Sequence, residues 1–229
     1  MQHNDGIHYR PNILLHPYPF IPKGSGTYPE YISGNNNPPK ISTIEQYQYD
    51  SIARLRRIHV RNAMKHVWKG YQRYAYGHDE LKPLSKKGHD NWGGMCTTLI
   101  DSLDTLWLMN MKEEFWEGRD WIQNHLNFNH VTKPISVFET TIRNLGGLLS
   151  AFDLSGDEVF IKKAEELGER MLQAFDSPTG LPFSETDLNS KDSFNTLWLG
   201  GKAILAEMGT LQLEFRYLGR STTTYEYIL

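Results

Sequence analysis

The stretch SVFETTIRNLGGLLSAF, residues 136–152, predicts an apolar helix with a glutamate in its first turn. Ser136 and Glu139 fit the S-x-x-E pattern of a capping box, which closes the N-terminus of a helix. Glu139 and Arg143 are four residues apart, a spacing typical of an exposed salt bridge. The alternative hypothesis is that Glu139 points into a cavity and takes part in chemistry. The local pattern leaves both interpretations open.

The predicted helix has two distinct faces. The periodicity indicates a core face made of Phe138, Ile142, Leu145, Leu149 and Phe152. The adjacent stripe, which we call the acidic stripe, consists of Glu139, Arg143, Gly146 and Ser150. Because this stripe is charged at its start and small further on, it leaves room for another group to approach.

A second segment, TTLIDSLDTLW (residues 97–107), places two acids on one face of an apolar helix. Thr98 and Asp101 could form another capping box. Asp104 lies deeper in the helix, where a buried carboxylate is costly unless it is hydrogen-bonded or paired. A solvated helix edge is the alternative interpretation of both acids.

A third acid, Glu214, shares a helical stripe with Leu211 and Leu218. An acid on such a stripe can line a polar cavity, or it can lie at a helix edge and pair with Arg216. Three helices would then each bring a carboxylate towards an apolar face, and one shared polar pocket would account for all of them. Paired carboxylates with separate protonation states are the groups that glycoside hydrolysis requires.

Composition excludes several classes of function. The chain has 229 residues, a globular composition and a formal net charge of −3, which predicts neither a nucleic-acid partner nor an anionic membrane surface. The one cysteine, Cys96, excludes an internal disulfide and a cysteine-based zinc site. The sequence contains no G-x-x-x-x-G-K-[ST], H-E-x-x-H or G-x-S-x-G motif, and its nine histidines have no ligand spacing.

The chain is predicted to have two parts. Residues 1–40 are rich in Pro, Gly and Asn and indicate a linker or loosely held arm, with neither a signal peptide nor a membrane-spanning helix in the chain. Residues 41–229 are predicted to be all-α, arranged as helical hairpins without a fixed repeat. Helices are expected at 44–76, 97–111, 113–126, from a Ser155–Glu158 capping box onward, and across 194–220. Residues 77–94 are predicted to be a polar loop with no element of its own.

Four segments resemble the class I α-1,2-mannosidases, which form glycoside hydrolase family 47. They are GHDELKPLS (77–85), TTLIDSLDTLWLM (97–109), SVFETTIRNLGGLLSAFDLSGD (136–157) and QLEFRYLGR (212–220). They occur in the family's order. The first segment is more similar to the processing enzymes of the endoplasmic reticulum and Golgi than to the degradation-enhancing branch.

The resemblance implies a partial (α/α)7 barrel, an incomplete toroid of helical hairpins. It implies removal of α-1,2-linked mannose from high-mannose N-glycans with inversion, with the help of bound Ca²⁺. It also implies residence of the parent protein in the endoplasmic reticulum or Golgi, with membrane attachment only through a segment absent from this chain.

The resemblance assigns roles to individual residues. Glu139 corresponds to the general acid, and Arg143 to the arginine that helps to hold the substrate. Glu214 matches an acid that lines the sugar pocket, and Asp101 and Asp104 lie in an acid-bearing segment in which either could face it. One conflict remains, because a helix N-terminus and a nearby arginine favour a charged carboxylate, whereas a general acid must hold a proton.

The chain lacks counterparts of other family segments. These are the later catalytic glutamate, an M-D-H-L segment and the C-terminal threonine that binds Ca²⁺, so the calcium ligand is expected outside this chain. An inverting hydrolase needs an acid and a base about 6.5–9.5 Å apart, and only the acid side is recognised here. We therefore expect the isolated chain to be inactive or poorly soluble. The alternatives are a non-catalytic glycan-binding member of glycoprotein quality control and an all-α scaffold without sugar affinity.

Overall fold

A computed structural model describes residues 43–197, 200–222, 224 and 227. The predicted arm, residues 1–40, lies outside the described residues. Contacts divide the chain into two units, residues 1–60 and 61–229. In the first unit, residues 48–60 are helical and exposed. Apart from residues 43–60 of the first helix, the features that follow belong to the second unit.

The described part of the chain is mostly helical, which confirms the predicted fold class. Its helices are α1 (Thr43–Ala75), α2 (Thr97–Leu108), α3 (Lys112–His125), α4 (Val137–Thr140), α5 (Gly146–Ser155), α6 (Glu158–Met171), α7 (Leu205–Gly209) and α8 (Gln212–Thr222). A π-helical turn, Thr141–Leu145, joins α4 to α5, and single 3₁₀ turns lie at Phe128–His130 and Leu172–Phe175. Among these described helices, none combines the length and the apolar character needed to cross a bilayer.

Two small antiparallel sheets accompany the helices. Strands β1 (Glu80–Lys82) and β2 (Lys87–His89) form a hairpin. Strands β3 (Ile135–Ser136), β4 (Glu185–Thr186) and β5 (Ser193–Phe194) pair in that order. The prediction that residues 77–94 contain no element was wrong, because strands of three residues show too few alternations to be recognised.

The core forms where successive helical hairpins pack together. Helix α2 packs against α3 and α5, and α6 packs against α5 and α8. The largest buried apolar side chains include Trp68, Phe115, Phe128, Phe160 and Phe215. The segment from α4 to α5 therefore lies among α2, α6 and α8. Helices α2 and α8 border its acidic stripe.

Helix α1 confirms the prediction of a helix at 44–76 to within a residue. Its buried residues are Trp68, Tyr71 and Ala75, whereas Val67 is 62% exposed. Among its described side chains, those of the C-terminal turns are packed and the earlier ones are exposed, because aromatic side chains near the C-terminus reach the core.

The π-helical turn changes the predicted core face of residues 136–152. Leu145 and Leu149 are buried as predicted, but Ile142 is exposed, and Thr141 and Asn144 are buried instead. A π turn contains more than 3.6 residues, so it shifts the phase of every position after it. A strict 3.6-residue period therefore assigns Ile142 to the wrong side.

Two other helix boundaries differ from the sequence interpretation. The predicted Ser155–Glu158 capping box is wrong, because Asp157 caps α6 by accepting a hydrogen bond from Val159 N at 2.9 Å. Ser155 Oγ instead donates to Ala151 O. The predicted helix at 194–220 was wrong for the described residues 194–197 and 200–204, since Gly200 and Gly201 have left-handed φ values of 63° and 72° that interrupt a helix.

The Gly146–Gly147 pair provides the first testable prediction. A Cβ at Gly147 would lie 2.9 Å from both the carbonyl oxygen and Cγ2 of Ile100, so the backbones of α5 and α2 are nearly in contact. We expect Gly147→Ala to lower the free energy of unfolding by about 1–3 kcal/mol through overpacking. A Cβ at Gly146 would meet nothing nearer than 3.4 Å. Gly146→Ala is therefore the matched control for chemical denaturation, and equal losses in the two variants would contradict the argument.

Candidate active site

A buried carboxylate holds the loop that leads into the site. Asp79, fully buried, accepts five hydrogen bonds from the segment before and at the start of α2. The donors are the backbone N–H groups of Trp92, Gly94, Met95 and Thr97, and the Thr97 hydroxyl. This bonding replaces the predicted Thr98–Asp101 capping box, because Thr98 Oγ donates to Asp79 O instead.

Glu139, Arg143 and Asp101 form an ionic chain on the acidic stripe. Arg143 Nε donates to Glu139 Oε2 at 2.7 Å, and Arg143 Nη1 lies 3.6 Å from Asp101 Oδ2. Ser136 caps the helix, since its hydroxyl accepts from Glu139 N at 3.2 Å. The predicted capping box is thus present in its Ser136 half, while the Glu139 carboxylate turns to Arg143. The arrangement links α2 to the first turn of α4 through one guanidinium group.

Trp92 and the β1–β2 hairpin complete the surroundings of Arg143. The guanidinium carbon lies 5.2 Å from the centroid of the Trp92 ring, within the range of a cation–π interaction. The indole Nε1 of Trp92 donates to Glu80 Oε1 at 3.0 Å. This bond is the main reason why the pKa of Glu80 is lowered. The hairpin therefore contributes a negative charge, and the loop that follows it contributes an aromatic face next to the ionic chain.

The other acids predicted from the sequence border the same stripe further along. Asp104 Oδ2 accepts from Ser150 Oγ at 3.1 Å. Glu214 lies against Gly146, where a Cβ would be 3.6 Å from Glu214 Cγ and 3.9 Å from Oε1. The small residues of the stripe thus admit carboxylates from α2 and α8. The structure brings Asp101, Asp104 and Glu214 to the stripe that begins with Glu139, although their chemical roles stay predictions.

The sequence of this site matches a known family. The model of glycosyl hydrolase family 47 matches residues 63–229, which include every residue of the acidic stripe and all three acids that border it. The chain belongs to glycosyl hydrolase family 47. The fold class inferred from the four segments, a partial (α/α)7 barrel, is confirmed by this match and by a related solved structure.

Individual family 47 members give the extent of the likeness. The chain is 42% identical over 199 residues to the mannosyl-oligosaccharide 1,2-alpha-mannosidase MNS1 of Arabidopsis thaliana, covering 86% of this chain and 35% of the relative. It is 45% identical to the endoplasmic reticulum mannosyl-oligosaccharide 1,2-alpha-mannosidase of Rattus norvegicus, over 71% of this chain and 24% of that relative. The structure of an alpha-1,2-mannosidase from Trichoderma reesei matches with a TM-score of 0.68 and 28% identity, over 76% of this chain and 38% of that one. The chain therefore spans between about a quarter and two fifths of these family 47 proteins.

Burial raises the pKa of two acids of this family 47 site, Asp101 and Glu214. The pKa of Asp101 is raised, chiefly by burial and also by Asp104 and Glu139, although Arg143 opposes the shift. The pKa of Glu214 is raised by burial as well. Its Oε2 atom is shielded from solvent and has no hydrogen-bond partner among the described residues. Glu214 is therefore the acid of the site whose charge is least compensated.

Glu214 provides a prediction on pH dependence. Its folded-state pKa lies above the ordinary 4.5, so the folded chain binds this proton more tightly than the unfolded chain does. The cost of ionising it is absent below pH 4.5, grows as the pH rises through the raised pKa, and is fully present above it. We expect Glu214→Gln to raise the free energy of unfolding by about 0.5–1 kcal/mol at pH 7, a value reduced for partial exposure, and by nothing at pH 4. Urea denaturation at both pH values checks this, with exposed Glu158→Gln as the control, and a gain that is equal at pH 4 and pH 7 would contradict it.

The described residues do not supply a cluster of ligands for the calcium ion that the family resemblance implies. Within residues 43–197 and 200–222, no group of three or more His, Cys, Asp or Glu side chains is placed to hold a metal ion. The described residues thus do not fit a calcium site, and no step below passes through the metal.

Sequence reasoning missed three residues that the structure places around the site. Asp79, Glu80 and Trp92 all belong to the segment that was interpreted as a plain polar loop. A signal for Asp79 was available in the Gly93–Gly94 pair, whose φ values of 100° and 80° allow the loop to turn its N–H groups inward. The contact between Trp92 and Arg143 depends on tertiary packing and has no local signal.

Proposed function

We propose that this chain carries the general-acid part of a glycosidase that removes α-1,2-linked mannose from high-mannose N-glycans with inversion. The observation that supports the proposal is the chain of contacts from Asp101 through Arg143 to Glu139, inside the region that matches family 47. The relatives named above as 1,2-alpha-mannosidases supply the substrate class.

Each acid of the site has a distinct role in this proposal. Glu139 donates a proton to the glycosidic oxygen as the bond to the leaving sugar breaks. Arg143 orients the Glu139 carboxyl group and donates hydrogen bonds to the substrate. Asp101, Asp104 and Glu214 accept hydrogen bonds from sugar hydroxyl groups along the acidic stripe. The general base that activates water is not assigned to any described residue.

The proton on Glu139 requires a change in its surroundings. In the absence of substrate its carboxyl group accepts a hydrogen bond from Arg143 Nε at 2.7 Å. A sugar that bonds to Arg143 would draw the guanidinium group away, and burial by a substrate disfavours a charged carboxyl group in general. In this proposal, substrate binding therefore prepares the acid.

A second function is favoured by that same ion pair. A Glu139 that is engaged by Arg143 suits a protein that binds a glycan without cleaving it, as in glycoprotein quality control. The two functions share the acidic stripe and differ only in turnover. For either function we place the parent protein in the endoplasmic reticulum or Golgi, since the Rattus norvegicus relative is named as an endoplasmic reticulum enzyme.

A chimeric enzyme tests the proposal. Residues 63–229 of this chain replace the matching segment of the Arabidopsis relative, and mannose release is measured from a high-mannose glycan and from α-1,2- and α-1,6-linked dimannosides. We expect release from the glycan and from the α-1,2 dimannoside only. A folded chimera that binds the glycan but releases no mannose would favour the second function, and one that does neither would contradict both.

A further inference from the structure

A second concave surface lies between the end of α1 and the outer face of α3. We call it the α1–α3 cleft; it has a volume of about 470 Å³, within the range of ligand-binding pockets. It is lined by Gln72 and Tyr76 from α1 and by Glu117, Asp120, Trp121, Asn124 and His125 from α3. None of these residues belongs to the acidic stripe or to the acids that border it.

Aromatic rings form two walls of the cleft at nearly a right angle. The ring centroids of Tyr76 and Trp121 are 6.3 Å apart and their planes meet at 78°. The two rings are thus in edge-to-face contact. His125 stacks on Trp121 at 5.2 Å with an angle of 23°, so it covers one face of the indole. The ring surface that still lines the cleft suits a cation, because an aromatic ring carries negative charge density on its face.

The charges around these rings also favour a cation. The lining contains two carboxylates, Glu117 and Asp120, and no lysine or arginine. Both carboxylates act on Tyr76, whose pKa is raised to about 12 by burial first and then by Glu117, Cys96 and Asp120 in that order. Glu117 is held by a bond from Gln72 Nε2 at 2.9 Å.

One neighbouring cation, Arg119, lies close but is already engaged. Its Nη1 bonds to Asp120 at 2.9 Å, while its Nε bonds to Asp157 Oδ2 at 2.8 Å. The guanidinium group is thus anchored towards α6 and does not line the cleft. Asp120 keeps a second oxygen for another donor, because a carboxylate has about four acceptor sites.

We propose that the α1–α3 cleft binds an organic cation, a guanidinium or substituted ammonium group at the end of an aliphatic chain. The cleft is too large for an ammonium group alone, so the carbon stem of the ligand packs along Tyr76 and Trp121 while the cationic head lies between Glu117 and Asp120. An arginine or lysine side chain of a peptide and a free polyamine share this chemistry. The proposal does not depend on the glycosidase function.

Titration of the full 229-residue chain tests the binding. The probes are spermidine and the capped peptide acetyl-Gly-Arg-Gly-amide, and the readout is the indole N–H resonance of Trp121, assigned by its loss in Trp121→Phe. We expect a saturable shift below roughly 10 mM. A response to spermidine alone identifies a free polyamine as the source, and a response to the peptide identifies a side chain. No saturable shift with either probe overturns the proposal.

Two comparisons show whether charge recognition is responsible. The double variant Glu117→Gln with Asp120→Asn keeps the shape of the cleft and is expected to bind the responding probe at least about tenfold more weakly. Its matched control, Glu113→Gln with Glu114→Gln, removes the same charge from α3 outside the cleft and should bind like the unmodified chain. Equal weakening in both pairs overturns the proposal, as does an equal Trp121 response to methyl α-mannopyranoside or to acetyl-Gly-Gln-Gly-amide.

Discussion

In the chimeric enzyme, we expect Glu139→Gln to lower the rate of mannose release from a high-mannose glycan by about 10²–10⁴-fold. Glutamine has the same shape as glutamate, and its carbonyl oxygen can still accept a hydrogen bond from Arg143 Nε. In the unmodified chain this nitrogen lies 2.7 Å from the Glu139 carboxylate. What glutamine cannot do is donate a proton to the leaving sugar oxygen. Initial rates at saturating substrate measure this effect.

A second substrate distinguishes proton donation from a structural role of Glu139. In an aryl mannoside made from a strongly acidic phenol, the phenolate departs without being protonated. Glu139→Gln should therefore slow the cleavage of this substrate far less than that of the glycan. Glu166→Gln is the control, because Glu166 pairs with Lys163 and Arg170 on α6, away from the acidic stripe. If the two substrates lose rate by the same factor, Glu139 does not serve as the acid.

The largest expected effect on stability belongs to Asp79→Ala, which should lower the free energy of unfolding by about 3–5 kcal/mol. Alanine removes the carboxylate that accepts five hydrogen bonds, and four backbone N–H groups then lose their acceptor. Since a domain is stable by only about 5–15 kcal/mol, a large part of its stability would be lost. Urea denaturation followed by circular dichroism measures the change.

Asp79→Asn refines the same test. Its amide oxygen can replace Asp79 Oδ1, but its NH₂ group would face the N–H groups of Trp92 and Gly94 that now bond to Oδ2. We expect an intermediate loss of about 1–3 kcal/mol. Asp120→Ala, which removes an exposed carboxylate, should cost no more than about 0.5 kcal/mol. An Asp79→Ala chain with the urea midpoint of the unmodified chain would contradict this account of the loop.

The residues whose positions could be predicted are those governed by local periodicity. Ser136 was recognised as a helix cap because its partner, the N–H of Glu139, is three residues away. For Asp104 and Glu214, helical spacing predicted a place on an apolar helix face and left a shared pocket and a helix edge as alternatives. In the structure both lie beside small residues of the acidic stripe, Ser150 and Gly146.

The residues whose positions could not be predicted depend on distant partners or on an irregular backbone. Asp79 receives its hydrogen bonds from residues 13–18 positions later, and no helical or strand period spans that distance. Ile142 was assigned to the core because the sequence TTIRNL does not signal a π turn, which moved Asn144 inward in its place. There Asn144 Oδ1 lies 3.2 Å from Thr97 Oγ1, and Asn144 Nδ2 donates to Met95 O at 3.4 Å, so this side chain joins the turn to the start of α2.

The missing side chain at Gly147 determines which acid can act from α2. Aspartate is one methylene shorter than glutamate, and yet Asp101 and Asp104 both reach across to the neighbouring segment. They can do so because the two backbones are so close at position 147 that a Cβ there would lie only 2.9 Å from the carbonyl oxygen of Ile100. A methyl group there would separate the axes, and a glutamate would then be needed at 101 and 104 to cover the same gap. The choice between the two acidic amino acids on one helix is thus set by a residue on another that touches neither carboxyl group.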